Sequence, residues 1–284
     1  MDTLDFHRKL GELRPKLHRY CARMTGSVID AEDVVQESLA KAVNAFSDDV
    51  AMINIDGWLF RIAHNTALDY LRRRAREQAV RTEEDLDMVA DALPPPTAAA
   101  SLRTFMQLPI AQRSSVILMD VLGYTIREVG TILDSSVPAV KSALHRGRTR
   151  LRELAAEPAD PAPDLSPADR DRLAHYVDRF NARDFDTLRD LLAEDARLEL
   201  VNHRRIAGRE PVSNYFTNYN KTDDWRLGFG FVDRRPAILV RDPEDLDARP
   251  RYFVLIDWTG DRIATIRDFR YARYAIDDAE VIAI

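Results

Sequence analysis

Cysteine is almost missing from this 284-residue chain, where Cys21 stands alone. A single cysteine excludes an internal disulfide and any cysteine-rich zinc site, and such usage fits a reducing cytoplasm. Cys21 itself reads as a small buried helix residue. Long apolar runs are missing too. None approaches the roughly 20 residues needed to span a bilayer, so no membrane partner is expected. The N-terminus, MDTLDFHRKL, lacks the basic-then-apolar layout of a signal peptide. No metal or other cofactor is expected. There is also no excess of positive charge. Lys and Arg number 41 against 47 Asp and Glu, a net charge of −6. At first sight that argues against a nucleic-acid partner.

The distribution of charge reverses this impression. Through Ala155 the two signs balance at 21 each, and the remainder carries 20 basic against 26 acidic residues. Within the neutral part the charges are segregated. Arg72, Arg73, Arg74, Arg76 and Arg81 form one basic cluster, and Lys141, Arg146, Arg148, Arg150 and Arg152 another. Two basic helices on a neutral body suit two contact points on one DNA. With 45% hydrophobic and 31% charged residues, the composition is that of globular protein, and the length suggests two or three compact units.

Residues 1–81 read as helical. Leu4, Leu10, Leu13 and Leu17 recur at helical spacing, Asp30 is a candidate N-cap, and Asp56 can cap a long helix from Gly57 to about Arg76. Residues 82–97 are acidic and end in Pro94, Pro95 and Pro96, the composition of an extended linker. A second helical group spans 98–155. Residues 156–166 hold a further Pro-rich linker, and 167–284 begin with two amphipathic helices and continue in short β-type runs. Trp258-Thr259-Gly260-Asp261-Arg262 reads as a hairpin turn. Helices followed by antiparallel strands indicate an α+β domain.

A helix-turn-helix needs a short helix, a tight turn and a second helix with an exposed face for the major groove. The stretch from Tyr124 to Leu154 supplies this pattern. Ile126, Val129, Ile132 and Leu133 form the inner face of the first helix, and Val137, Val140 and Leu144 continue it in the second. Lys141, Ser142, His145, Arg146 and Arg148 remain outside, where they can meet phosphates and base edges, or simply water. In the first group, Arg61, His64, Asn65, Asp69, Arg72 and Arg73 are spaced to share an exposed helix side, while Trp58 reads as core. Asp33 and Glu37 lie one turn apart on one face.

From Leu108-Pro109 through VKSALHRGRTRLREL the chain resembles region 4 of extracytoplasmic-function sigma factors. Asp134 stands where that family usually has glycine, and Ala143 where a basic residue is common. Asp tolerates a left-handed turn better than most residues, so the turn survives. DAEDVVQESLAKAV resembles the region 2 helix that docks on the polymerase clamp, and WLFRIAHNTALDYLRRRAR the helix that opens the −10 element. The resemblance implies core RNA polymerase and promoter DNA as partners. Asp33 and Glu37 would face polymerase, the Arg61 to Arg73 set the −10 element, and the Lys141 to Arg148 set the −35 element. The linker, with Glu83, Glu84, Asp85 and Asp87, would mimic RNA charge near the active centre.

The last segment is similar to the cone-shaped fold of nuclear transport factor 2 and the SnoaL-like cyclases, on YVDRFNARDFDTLRDLLAEDARLEL, GREPVSNYF and the terminal strands. That resemblance implies a curved antiparallel sheet around a pocket, with Asp195, His203, Tyr215, Trp225, Trp258 and Asp268 as candidate lining, and a small molecule as candidate ligand. The expectation is therefore two all-α sigma domains followed by an α+β regulatory domain, in a cytoplasmic transcription initiation factor that is not an enzyme. The alternative is a DNA-binding regulator fused to a cyclase-like enzyme, with His203 and Asp268 as base and partner. Tyr271, Arg273 and Tyr274 near the end could instead form a docking surface.

Overall fold

The computed structural model describes residues 3–46, 54–84, 102–155 and 163–284. The molecule divides into two compact units, residues 1–161 and 162–284.

The first unit opens with α1 (Thr3–Thr25), α2 (Val28–Ala45) and α3 (Ile55–Glu84). Phe6, Leu10, Leu13, Leu17 and Cys21 of α1 are buried at helical spacing, while Leu4, expected in this row, is exposed. Phe6 takes its place, stacked on Phe46 with ring centroids 4.0 Å apart. Burial pushes the Cys21 thiol up, so it stays protonated. Both expected caps are displaced by a few residues. Ser27, not Asp30, caps α2 by accepting from the N–H groups of Ile29 and Asp30. Asp30 is instead buried and paired with Arg74 of α3 at 2.8 Å. Asn54, not Asp56, accepts from the Gly57 N–H at the start of α3. That helix runs past Arg76 and takes in residues 82–84 of the expected linker. The rest of that linker, including Asp85 and Asp87, lies outside the described residues.

The same unit continues in α4 (Leu102–Met106), α5 (Ile110–Val116), a π-helical turn (Ile117–Val121), α6 (Ile126–Ile132) and α7 (Val137–Leu154). Pro109 precedes α5, where a missing N–H costs nothing. A Thr125–Glu128 capping box starts α6, and Ser136 caps α7.

The second unit begins with α8 (Pro167–Asn181) and α9 (Phe185–Asp190), followed by β1 (Leu192–Leu200), β2 (Arg204–Ala207) and α10 (Arg209–Tyr219). It ends with β3 (Arg226–Val232), β4 (Arg235–Arg241), β5 (Tyr252–Thr259), β6 (Arg262–Asp268) and β7 (Val281–Ala283). The seven strands form one sheet in the order β2-β1-β6-β5-β4-β3-β7. The α+β layout is as expected, with one refinement: β1 pairs with β6 in parallel, and the remaining pairings are antiparallel. The predicted hairpin forms at Gly260-Asp261, with Thr259 opposite Arg262. Phe180, Phe185, Phe216, Tyr219 and Trp225 make an aromatic core of edge-to-face contacts at 4.9–6.4 Å.

The last strand closes on a glycine. Gly230 of β3 lies opposite Ala283, and a β-carbon there would collide with the Ile282 carbonyl. Gly230→Val is expected to detach β7 and lower stability by about 1–3 kcal/mol, read as a shift in urea midpoint. An unchanged midpoint would show that the β3–β7 pairing contributes nothing.

Candidate nucleic-acid interface

The helix-turn-helix is built as the sequence pattern requires. Val129, Ile132, Val140 and Leu144 are buried, and Ile126, Leu133 and Val137 half-buried. Asp134 adopts the left-handed turn at φ 51°, the conformation that glycine would otherwise supply. Lys141, Ser142, His145, Arg146 and Arg148 are all exposed on α7. The cations among them are not equivalent. Arg146 donates to Ser142 Oγ at 2.7 Å, an exposed contact within its own helix. Arg148 is committed to Asp120 of the π-helical turn through two bonds, one of them at 2.8 Å. A shallow groove of about 480 Å³ runs beside them, lined by Gln107, Gln112, His145, Arg146, Thr149 and Arg150. Ala143 is buried, so the basic residue common at this position would not face outward in this chain.

The α3 set divides. Arg61, Asn65, Asp69, Arg72 and Arg73 are exposed along one stretch of helix. Asp69 pairs with Arg72 at 3.1 Å, and Arg61 reaches Asp134 at 3.1 Å. His64 does not join them. It is buried, with Nδ1 2.7 Å from the Tyr20 hydroxyl. Desolvation lowers its pKa to about 4, so at neutral pH it is an uncharged core group. The expectation that His64 shares the exposed side is corrected for that reason. Trp58 is half-buried, its ring 6.4 Å from that of Phe6, whereas Phe60 is fully buried against Tyr20 and Tyr124. On α2, Asp33 is exposed and Glu37 half-buried, the latter paired with Lys41 at 2.8 Å.

In the second unit the six candidate pocket residues divide: Tyr215, Trp225 and Asp268 gather around Tyr219, and the other three lie elsewhere. Asp195 and His203 are exposed and Trp258 half-buried. The His203 ring lies 4.5 Å from that of Tyr271. Asp195 sits at an outward position of β1, so alternation along the strand takes it away from the interior. Tyr215, Trp225 and Asp268 are buried. Asp268 accepts from the Tyr219 hydroxyl at 2.8 Å and from the Arg270 N–H at 2.7 Å, and Tyr219 meets the Tyr252 hydroxyl at 3.0 Å. Burial raises the Asp268 pKa despite these donors. Tyr219 and Tyr252 were not singled out in the sequence, because tyrosines at helix and strand spacing read as ordinary core. The base and partner that an enzyme would need are not brought together, since His203 is at the surface and Asp268 inside.

Comparison with known proteins gives this architecture its class. Residues 10–77 match the family model for sigma-70 region 2 and residues 102–151 that for sigma-70 region 4. The chain is similar to the extracytoplasmic-function sigma factor SigW of Bacillus subtilis, 33% identical over 49% of this chain and 83% of that protein. It is 34% identical to SigG of Mycobacterium tuberculosis over 69% of this chain, and spans 61% of the length of that relative. The crystal structure of the Mycobacterium tuberculosis extracytoplasmic-function sigma factor SigJ aligns over 92% of this chain and 95% of its own, at 18% identity and a TM-score of 0.38. The chain belongs to the extracytoplasmic-function RNA polymerase sigma factors. Among the described residues no helix is long and apolar enough to cross a membrane, and no group of three or more His, Cys, Asp or Glu is placed to hold a metal ion.

His64 gives the site a pH dependence. Its folded pKa of about 4 lies below the ordinary 6.5, so the unfolded chain takes up the proton first. Stability is full above pH 6.5 and is lost as pH falls towards 4, by at most about 3 kcal/mol. His64→Gln is expected to flatten that slope in urea unfolding between pH 7 and 4. Parallel curves for the two proteins would remove His64 as its cause.

Proposed function

We propose that this chain is a transcription initiation factor. It binds core RNA polymerase in the cytoplasm, recognises promoter DNA through its two helical regions, opens it, and is controlled by its own C-terminal unit. The observation that carries this reading is a capped helix-turn-helix presenting Lys141, Ser142, His145 and Arg146 together, in a chain of the sigma family. Phosphate contacts from such cations fix register, and base-edge contacts confer specificity. Arg148, tied to Asp120, holds the second helix in place before it holds DNA. On α3, the exposed Arg61, Asn65, Asp69, Arg72 and Arg73 serve the −10 element, where separated strands offer backbone charge and unstacked bases. His64 supports that helix from inside. Asp33 and Glu37 are the acidic groups offered to a basic polymerase surface.

This function needs binding and strand separation, not covalent chemistry of the chain's own. The acidic C-terminal segment, tethered after two basic reading helices, is suited to regulate them. A small molecule entering the interior near Tyr215 would have to compete with Asp268 and Tyr252 for tyrosine hydroxyls that are already engaged.

Run-off transcription with core polymerase tests both claims. The full chain is expected to direct initiation from a defined promoter. Lys141→Ala with Arg146→Ala should weaken −35 binding by about 1–3 kcal/mol if Arg146 meets a base edge, and should lower the salt slope if it meets phosphate. Binding untouched by the pair would sink the assignment. A chain ending at Ala155 should differ from the full chain several-fold in yield. Equal yields across salt concentrations would reduce the C-terminal unit to a passenger.

A further inference from the structure

The reading helix α7 has two unlike flanks. Helix α5 crosses beneath it at Gly147, where an added β-carbon would meet Val116 at 2.8 Å and Gln112 at 3.3 Å. From Gln112 to Asp120 the chain advances about 12 Å, roughly the width of a DNA major groove. Gln112 therefore comes up on one side of α7 and Asp120 on the other. The Asp120 side is filled. Arg148 is bound there through two hydrogen bonds, so cation and carboxylate cancel. The opposite side is open. There the groove of about 480 Å³ has Gln107 and Gln112 on one wall, and His145, Arg146, Thr149 and Arg150 on the other.

This groove continues the reading face. Ser142, Arg146 and Arg150 follow one another at every fourth residue of α7, as do Lys141, His145 and Thr149, so each set forms one row along the helix. Arg148 and Arg150, two residues apart, project about 200° apart and so serve opposite flanks. Two guanidiniums face the groove against one carboxylate, that of Glu153, which pairs with Arg150 at 3.2 Å within the same helix. Gln107 is exposed and Gln112 half-buried, and their side-chain amides make no hydrogen bond to other described residues. A shallow, cationic trough with neutral donors along its far wall matches a backbone strand better than an enclosed ligand.

We propose that this groove seats the sugar-phosphate strand bordering the −35 major groove, with Arg150 on a phosphate and Gln107, Gln112 and Thr149 as neutral backbone contacts. The inference rests on the sigma-factor reading and extends its −35 interface by four residues, three of them outside the basic clusters. It also fixes the side on which DNA leans. Arg148 could reach a phosphate only by giving up a doubly bonded carboxylate, and Asp120 would then face the phosphate unpaired. Arg150 gives up only an exposed contact with a residue three places along its own helix, which is worth little.

The test uses holoenzyme assembled from the full chain and core polymerase, with binding to a promoter fragment followed across salt concentrations. Arg150→Gln is expected to lower the slope of log affinity against log salt by about 0.9, the value of one phosphate contact, and Arg148→Gln to leave it unchanged. Gln112→Ala removes a neutral donor, so affinity should fall roughly two- to tenfold with the slope kept. Glu153→Gln takes the acid out of the groove and should raise affinity about two- to fivefold. Replacing single phosphates beside the −35 element by uncharged methylphosphonate locates the contact: at one position the unaltered protein is weakened and Arg150→Gln is not. An unchanged slope for Arg150→Gln overturns the seat, whatever Arg148→Gln does, and leaves the sigma-factor reading standing. Holoenzyme that binds no promoter at any salt concentration overturns that reading, and this inference with it.

Discussion

Arg113 is a cation whose head group has been taken out of water, and the packing of the first unit is arranged to satisfy it. Burial lowers its pKa to about 10, still far enough above neutrality to leave it charged. A desolvated guanidinium is costly unless its N–H groups meet good acceptors; both terminal nitrogens do, whereas the buried Nε has none. The acceptors here are the carbonyls of Met24, Met106 and Leu108, the last two beside Pro109, where the chain has just left α4 and not yet entered α5. Carbonyls at such a break have no helical N–H to bind. One side chain therefore closes the end of α1, the end of α4 and the start of α5 together. Removing it would leave three acceptors to find water.

Elsewhere in the unit, some cations are tied to acids of other elements, while others have only contacts within their own helix. Arg14 with Glu32 and Arg74 with Asp30 lie at or beneath the surface of α2, and tie it to α1 and α3. Arg148 with Asp120 ties α7 to the π-helical turn. Arg146, by contrast, leans on a serine hydroxyl of its own helix. An exposed contact of that kind is worth little. The near-neutral sum over residues 1–155 thus conceals a division between cations that hold the fold and cations that are available.

Legibility in the sequence followed the range of the interaction. The helix-turn-helix was readable because its determinants are local: apolar spacing and a turn residue that accepts positive φ. Asp134 met the expectation down to its backbone angle. Five of the seven strands were readable, because runs of six or more residues such as ARLELV, PAILVR and RYFVLIDW are rich in β-branched, aromatic and other apolar side chains. Strands β2 and β7, four and three residues long, were not, since such runs carry no period. His64 was misplaced because a helical wheel knows the direction of a side chain and not what lies there. Tyr20, 44 residues earlier, turns that direction into interior. Asp30 failed as a cap for the same reason, its carboxylate having a partner 44 residues away in Arg74. Arg113 looked like any other helix arginine.

The second unit shows the same limit in its polar core. Asp268 was singled out as a carboxylate at a strand end, and it is indeed there, but the meaning of that position comes from α10 and β5. Tyr219 of α10 brings its hydroxyl to it, Tyr252 of β5 bonds that hydroxyl in turn, and Tyr215 and Tyr176 add further buried phenols within its field. Each of these tyrosines has its own ionisation pushed up by burial and by the carboxylate. A phenol that cannot ionise remains a donor, and a buried carboxylate needs donors more than it needs a single counter-charge. Asp268 is therefore held by a shell of neutral hydroxyls and one backbone N–H, a network whose geometry ties α10 to the central strands. Such a network rewards one arrangement of the sheet and penalises others.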